Sequence, residues 1–224
     1  SYRARNRGLE RACGDYVAFT DADCVPDRSW LQAAARAATE HPEAGILAGR
    51  IELSGRPSGM QSVSELYERL FAFDQQANVA SGMCVTANWV SPRPLLLALG
   101  GFDPTLKSGG DADCARRMRA AGHAIVYVAD MLVSHPARTG IGELIRKRRR
   151  IIGGRMKGDR SGRPPLFWLW TYALITGAQV KRALRESRYS WSVRAKLCLL
   201  IGLMGAASML EVLRVAGGGE PRRA

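Results

Sequence analysis

Short apolar segments of strand length alternate with segments of helical periodicity along residues 4–134. The strand-like segments lie at 15–20, 44–53, 83–90 and 124–134, and the helix-like segments at 4–14, 27–41, 61–78, 92–99 and 111–121. Parallel strands need long crossover connections, usually helices, so this alternation is typical of α/β domains. The pattern predicts an α/β fold with a mostly parallel sheet and flanking helices.

The distribution of charge divides the chain after His135 and Pro136. Residues 1–137 hold 14 Lys and Arg against 15 Asp and Glu, whereas residues 138–224 hold 19 against 5. The net charge of +13 is therefore carried by the C-terminal segment, which indicates an anionic partner, either lipid or nucleic acid. We predict an α/β domain over 1–138 and a basic helical region over 139–224.

The basic region contains two apolar blocks, 165–180 and 197–210, with six Lys and Arg between them. Both blocks are shorter than the roughly 20 apolar residues of a membrane-spanning helix. A spanning hairpin would also carry the intervening positive charges across the bilayer, against the positive-inside tendency. We expect helices that lie on anionic lipid at the cytoplasmic face of the cell membrane. A short spanning hairpin and a soluble packed domain are the alternatives.

A nucleic-acid-binding protein is a competing interpretation of the basic run at 146–150. The run adjoins apolar blocks rather than aromatic residues that could stack on bases, and no base-reading motif is present. We therefore expect no nucleic-acid partner. The five cysteines are scattered without zinc-ligand or redox spacing, which indicates reduced thiols in a cytosolic setting.

Two carboxylates, Asp21 and Asp23, follow the apolar segment 15–20 directly. Ligands of open α/β sheets bind at the carboxyl ends of strands, and Mg²⁺ or Mn²⁺ typically takes one or two carboxylates together with substrate phosphates. The pair therefore suits a metal ion bound to a diphosphate. The alternative is a solvated turn before the next helix, with Asp27 as the helix cap.

A second candidate site combines two glycine pairs, at 100–101 and 109–110, with Asp111. The glycines allow backbone to approach a ligand closely, and a carboxylate at the start of a helix can take a proton from a sugar hydroxyl within hydrogen-bond reach. The alternative is that Asp111 caps the helix 111–121, where Asp113 can pair with Arg117 one turn later.

A third candidate is His135, which ends the last strand-like segment. A neutral imidazole is a good ligand for Mn²⁺ at the sheet edge where the aspartates are expected. A structural or solvated histidine is the alternative interpretation.

Taken in order, these motifs resemble the family 2 glycosyltransferases of the GT-A fold. The matching runs are 4–8, 12–24, 100–103, 110–117, 121–128 and 133–135. The resemblance implies that Asp21 and Asp23 bind a divalent cation, Mn²⁺ or Mg²⁺, with the donor diphosphate, and that His135 completes that metal site. It implies that Asp111 is the catalytic base. The positions it assigns to the donor are Arg5, Asn6, Asn88 and Gly110.

The same resemblance implies an inverting enzyme that transfers a sugar from a nucleotide-diphosphate donor to an acceptor hydroxyl. A glycan or lipid-linked acceptor, in envelope or exopolysaccharide synthesis, would fit an enzyme attached to the membrane. The chain departs from the family pattern in two respects. Gly110 stands where the family more often has Glu, and the opening half of the sheet, with its nucleotide-reading aspartate, is absent before Ser1. We therefore expect a GT-A core that is truncated at its N-terminus, and a non-catalytic scaffold of the same fold is the alternative.

Overall fold

The structure, a computed structural model, describes residues 2–57, 59–159 and 161–220. Parts of the predicted basic helical region 139–224 lie outside the described residues. The chain divides into two compact units. The first contains the chain up to Ser54 together with Phe73–Leu106 and Gly110–Pro136, and the second contains Gly55–Ala72, Lys107–Gly109 and the chain from Ala137.

The elements in chain order are α1 (Tyr2–Arg11), β1 (Tyr16–Thr20), β2 (Val25–Pro26), α2 (Trp30–Glu40), β3 (Ala44–Ser54), α3 (Val63–Phe71), α4 (Gln75–Ala80), β4 (Asn88–Pro92), α5 (Arg93–Ala98), α6 (Gly110–Ala120), β5 (Ala124–Pro136), α7 (Ile141–Gly158), α8 (Pro165–Arg185) and α9 (Trp191–Ala216). All five strands belong to the first unit, and α3 and α7–α9 belong to the second. The predicted α/β class with flanking helices is confirmed.

The sheet has the strand order β1-β4-β3-β5-β2. Within the described residues only β3 and β5 run parallel, and the other three pairings are antiparallel. The prediction of a mostly parallel sheet was therefore wrong. Alternation of strands and helices does not fix strand direction. Strand β4 begins beside Arg50, in the second half of β3, where the Asn88 side chain donates to the Arg50 carbonyl at 2.8 Å, and it then runs back along β3.

Apolar side chains cover both faces of this sheet. Along β3, Ile46 and Ala48 face one side while Leu47 faces the other, as the period of two along a strand requires. One side packs against α1, α5 and α6 in a cluster that includes Leu9, Phe19, Trp89, Leu96, Phe102 and Met118. The other packs against α2 through Trp30, Ala33, Ala34, Ala37, Met131 and Val133. The sheet is thus a buried middle layer that holds the strand ends in place.

The helix predicted over 61–78 is interrupted. It separates into α3 and α4, because Asp74 caps α4 by accepting from the Ala77 amide at 3.0 Å. Between the two helices, Phe73 has φ of 56°, in the left-handed region that non-glycine residues rarely adopt. A capping aspartate inside an otherwise helical pattern was the signal for this break.

Other strand and helix boundaries also differ from the predicted ones. Residues 83–87 form a loop rather than a strand, since the Gln75 side chain binds both backbone groups of Val85, at 3.0 and 3.1 Å. Helix α2 begins at Trp30, and Asp27 accepts from the Ser29 amide instead of capping the helix. Strand β5 extends to Pro136 and so includes His135.

The second unit is helical. Its core is built from α3, α7, α8 and α9 and includes Leu66, Leu70, Leu144, Leu197, Ile201 and Met204. Helix α9 is longer than the apolar block 197–210, because Glu211 stays on the buried side and accepts from Arg214 one turn later at 3.0 Å. Among the described residues, α9 alone has the length and composition of a membrane-crossing helix, and half of its most apolar window is buried within the protein.

Candidate active site

A tight turn follows β1 and carries the first candidate residues. The Cys24 amide donates to the Asp21 carbonyl at 3.0 Å, which closes the turn over residues 21–24. Strand β2 then pairs with β5 in antiparallel register, with Val25 opposite Ser134. This register continues to place Cys24 opposite His135. The short strand β2 is therefore what brings the turn next to the end of β5.

The His135 ring is held on two sides. Its Nδ1 lies 2.8 Å from the Pro136 carbonyl oxygen, which can only accept, so Nδ1 carries a proton and the neutral ring has its lone pair on Nε2. The Phe73 ring packs over the imidazole at 4.4 Å between centroids. His135 is 3% exposed, and its Nε2 lies 3.7 Å from Asp23 Oδ2. A buried imidazole in this tautomer next to a carboxylate is suited to bind a cation.

Three potential metal ligands converge at this point. Ligand atoms of Asp23, Cys24 and His135 all lie within 4.8 Å of one another. The structure thus brings together two of the three predicted metal residues and adds Cys24, which sequence reasoning missed although it follows Asp23 directly. Burial raises the pKa of the Cys24 thiol. Oxygen, sulfur and imidazole nitrogen are all ligands of divalent metals, so the residues present fit a cation.

The third predicted metal residue, Asp21, points elsewhere. Its Oδ1 accepts from Arg5 Nη2 at 2.7 Å, and its carboxylate is not part of the group formed by Asp23, Cys24 and His135. Arg5 therefore pairs with one oxygen of the carboxylate that was predicted to bind metal. The side chain of Arg5 is mostly buried, with 17% exposed, so this ion pair is partly shielded from solvent.

Asp111 lies near this ion pair. It is the second residue of α6 and is half-buried, so it sits inside the first helical turn rather than at the cap position. Burial raises the pKa of its carboxyl group above the ordinary value, the charge of Asp21 adds to the increase, and Arg5 opposes it. A carboxylate with a raised pKa binds a proton more readily, which is the property required of a general base.

Tyr2 fixes the start of α6 beside Asp111. Its hydroxyl oxygen accepts from the Gly110 amide at 2.8 Å, and its ring stacks on Phe102. A Cβ atom on Gly110 would lie 2.7 Å from the Tyr2 ring, so only glycine fits at this position. Tyr2 thus fills the space above Gly110. Sequence reasoning missed it, and nothing in its local pattern distinguishes it.

The Asn6 side chain makes two hydrogen bonds with the backbone of Phe102. Its amide donates to the Phe102 carbonyl at 2.7 Å and accepts from the Phe102 amide at 2.9 Å. This clip holds the loop at Gly101, which has φ of 65° and whose Cβ, if present, would lie 2.7 Å from Asn6 Oδ1. Arg117 supports the same loop through the Gly101 carbonyl while pairing with Asp113 at 2.9 Å, as predicted.

The Asn88 side chain likewise makes its hydrogen bonds within the protein. It is fully buried, its amide donates to the carbonyls of Arg50 and Met131, and its oxygen accepts from Trp30 Nε1 at 2.9 Å. An amide side chain offers two donated hydrogens, and both are taken. The Asn88 side chain therefore joins β4 to β3 and β5, and the place of this position beside the donor stays a prediction.

Comparison with known proteins supports one family. Residues 2–154 match the family described as "Glycosyltransferase like family 2". The chain is 29% identical over 160 residues to the glycosyltransferase AglE of Haloferax volcanii, covering 70% of this chain and 51% of AglE. It is 31% identical over 156 residues to the pre-mycofactocin glycosyltransferase of Mycobacterium tuberculosis, covering 67% of this chain and 33% of that protein. The chain thus spans between a third and a half of these relatives.

A similar fold is found among solved structures. The mannosyltransferase PcManGT of Pyrobaculum calidifontis, determined with GDP-Man and Mn²⁺, superposes with a TM-score of 0.55 at 20% identity. The match covers 96% of this chain and 66% of that protein. The α/β architecture described above is therefore the architecture of a GT-A glycosyltransferase.

Proposed function

The chain belongs to glycosyltransferase-like family 2, and on that premise we propose that it carries the catalytic residues of an inverting enzyme that moves a sugar from a nucleotide diphosphate to an acceptor hydroxyl. The observation that carries the proposal is the placement of Asp111. Its carboxylate is half-buried and has a raised pKa, and the charges of Asp21 and Arg5 both act on it. Asp21 also begins the tight turn that places Asp23 next to His135.

Asp111 is the base in this mechanism. It accepts the proton of the acceptor hydroxyl while the oxygen attacks the anomeric carbon from the side opposite the diphosphate. A single displacement needs no second carboxylate as a covalent nucleophile, in contrast to retaining hydrolases. The bond from carbon to the diphosphate oxygen breaks as the new glycosidic bond forms. An α-linked donor therefore yields a β-linked product.

Asp23 and His135 are the residues that would hold a divalent cation, Mn²⁺ or Mg²⁺. Such an ion, when bound, neutralises the charge that develops on the departing diphosphate. The His135 tautomer fixed by Pro136 supports this assignment, as does the Mn²⁺ bound in the similar mannosyltransferase structure. Arg5 adds a fixed positive charge on the donor side. Asp21 is assigned here to the Arg5–Asp111 cluster, because its Oδ1 pairs with Arg5 and its carboxylate lies outside the group formed by Asp23, Cys24 and His135.

The known proteins similar to this chain support a nucleotide-sugar donor. GDP-Man is bound in the similar mannosyltransferase structure, and both curated relatives are named as glycosyltransferases. For this chain we propose a glycan or lipid-linked acceptor in envelope or exopolysaccharide synthesis, at the cytoplasmic face of the cell membrane. A membrane-attached enzyme would find such an acceptor at the surface on which it lies.

The helices α8 and α9 support the membrane assignment. Trp170 and Trp191 are 63% and 72% exposed, as residues of a membrane interface would be, whereas Trp168 is buried. The exposed positions of α9 between 199 and 213 form one apolar stripe, which consists of Leu199, Gly202, Leu203, Ala206, Leu210 and Leu213. The opposite side of α9 packs inside the second unit. One-sided burial favours a helix that lies on lipid over one that is surrounded by it.

The enzymatic proposal is tested by assaying the full-length protein with a panel of α-linked nucleotide-diphosphate sugars and lipid-linked acceptors. We expect transfer that stops when a chelator removes the cation and resumes with Mn²⁺ or Mg²⁺. Nuclear magnetic resonance of the purified product should show a β-linkage. An α-linked product would contradict the inverting mechanism, and undiminished transfer in the chelator would contradict the metal assignment.

A further inference from the structure

The ligand set at the turn is softer than the one expected from two aspartates and a histidine. Asp21 is engaged by Arg5, and the position closest to Asp23 and His135 is taken by the Cys24 thiol. This exchange follows from the register of β2 and β5, which sets Cys24 opposite His135. The backbone register therefore places Cys24 beside His135.

We propose that Cys24 binds the cation as a thiolate, so that Asp23, Cys24 and His135 form a three-ligand site with a preference for thiophilic ions such as Zn²⁺, Co²⁺ and Cd²⁺ over Mg²⁺. The proposal rests on the proposed function only in taking this turn as the metal site. On binding, the S–H bond breaks, the proton goes to solvent and the sulfur forms a bond to the metal.

The chemistry of the three groups supports this preference. Mg²⁺ takes oxygen ligands in near-octahedral geometry, whereas thiolate and imidazole suit Zn²⁺ and its neighbours, which accept four ligands. Three protein ligands leave a fourth position for water or a diphosphate oxygen, as in catalytic zinc sites. One carboxylate and one thiolate also balance the charge of a divalent ion, so the buried imidazole need not be charged.

The surroundings of His135 make the site rigid on one side. The hydrogen bond from Nδ1 to Pro136 and the packing of Phe73 fix the imidazole plane. Asp23 is 55% exposed and can move towards the ion, while Cys24 is half-buried. The site therefore has one ligand that is held in place, His135, and two that close on the metal, Asp23 and Cys24. The site opens towards solvent at Asp23.

Cobalt absorption tests the proposal on the chain itself, without turnover. Co²⁺ added to the reduced protein should produce the near-ultraviolet sulfur-to-cobalt charge-transfer band, and Zn²⁺ should remove it by displacement. Cys24→Ser should abolish the band and weaken Zn²⁺ binding in calorimetry by at least roughly tenfold, since even the outer partners of metal ligands are worth about 10–100-fold. The matched control is Cys13→Ser, an exposed thiol, which should leave the band intact.

A second measurement needs no variant. Zn²⁺ should protect Cys24 of the wild-type chain from alkylation, read by mass spectrometry, while Cys13 reacts at the same rate with and without the ion. A charge-transfer band that survives Cys24→Ser, or alkylation of Cys24 that Zn²⁺ does not slow, overturns the thiolate assignment. If Asp23→Asn and His135→Gln still abolish Mn²⁺-dependent donor binding in that case, the proposed function stands without it.

Discussion

The residues around Asp111 combine a functional requirement with a cost in stability. A half-buried carboxylate that must be ionised to act as a base is held in a place where burial and the charge of Asp21 both disfavour ionisation. Arg5 offsets part of that cost. Tyr2 and Asn6 carry no comparable cost in stability, because each makes a hydrogen bond to a backbone group and holds a glycine-containing segment in position.

Asp111→Asn should therefore stabilise the folded chain at neutral pH. A carboxyl group whose folded-state pKa is raised favours folding only while it is protonated, and that contribution is lost as the pH rises through the folded-state pKa. The wild type and the variant should unfold at similar temperatures in acid below the ordinary pKa of aspartate. The variant should be the more stable of the two at pH 7. Thermal unfolding at both pH values without donor measures this, and a variant less stable at pH 7 would contradict it.

Gly110→Ala should destabilise the first unit by about 1–3 kcal/mol, the usual cost of forcing an extra carbon into packed space. The new Cβ would meet the Tyr2 ring at 2.7 Å. The matched control is Gly8→Ala, also in a helix but with nothing within 4 Å of its Cβ, which should stabilise by about 0.5–1 kcal/mol. Denaturant unfolding compares the two. If Tyr2→Ala does not relieve the effect of Gly110→Ala, the clash is not its cause.

At the scale of elements, the sequence patterns predicted whether a segment is a helix or a strand. They were less successful in predicting which strands pair and in which direction. The sequence patterns located two strands, after residues 15 and 124, and the helix at 111, because apolar periodicity and helix caps are local signals. The antiparallel register between Val25 and Ser134 was not, since a two-residue strand has no periodicity to detect. The position of Cys24 opposite His135 depends on that register, which is why the sequence did not point to Cys24.

The junction of α3 and α7 depends on one buried carboxylate. Glu68 is 1% exposed and accepts from the Arg138 amide, the Arg138 guanidinium and Lys147, at 2.8–3.0 Å. Burial alone would raise the pKa of Glu68, but the charges of Lys147 and Arg138 outweigh it and the pKa is lowered. The ionised carboxylate therefore stabilises the fold above the ordinary pKa of glutamate.

Glu68→Gln should destabilise the second unit by about 3–5 kcal/mol at pH 7, since it leaves two cations without their buried partner. For a carboxylate whose pKa is lowered on folding, this difference should shrink as the pH falls from the ordinary glutamate pKa through the folded-state value. Denaturant unfolding at pH 7 and in acid measures it, with the exposed Glu10→Gln as control. An equal difference at both pH values would mean that the charge of Glu68 is not responsible.

At the scale of the whole molecule, charge and apolar surface are concentrated in the same part of the chain. The residues from 138 onwards hold 19 Lys and Arg against 5 Asp and Glu, whereas the residues before them are close to neutral. In the same part of the chain, α8 and α9 expose large apolar side chains, including Leu166, Trp170, Trp191, Leu199 and Leu210. Sequence composition predicted this basic and apolar character. It could not predict which side of α9 is covered, because that depends on packing within the second unit.

Binding to anionic vesicles should weaken as salt is added, because each basic residue near a lipid surface contributes roughly 1 kcal/mol before screening. Leu203→Gln with Leu210→Gln should reduce binding further by removing apolar contact. Leu31→Gln, at an exposed leucine in the first unit, is the control and should have no effect. Co-sedimentation measures all three. Equal binding to neutral and anionic vesicles at every salt concentration would favour insertion, and binding to duplex DNA but not to vesicles would contradict a membrane role.

Asp111 is the proposed base of the glycosyl transfer. Separating turnover from donor binding in the full-length Asp111→Asn variant tests this assignment most directly. We predict that kcat falls by about 10²–10⁴, the usual contribution of a general base, while the Kd of the nucleotide-sugar donor in calorimetry stays close to the wild-type value. A variant that loses donor affinity but turns over bound donor at the wild-type rate would show that Asp111 binds substrate and that the base lies elsewhere.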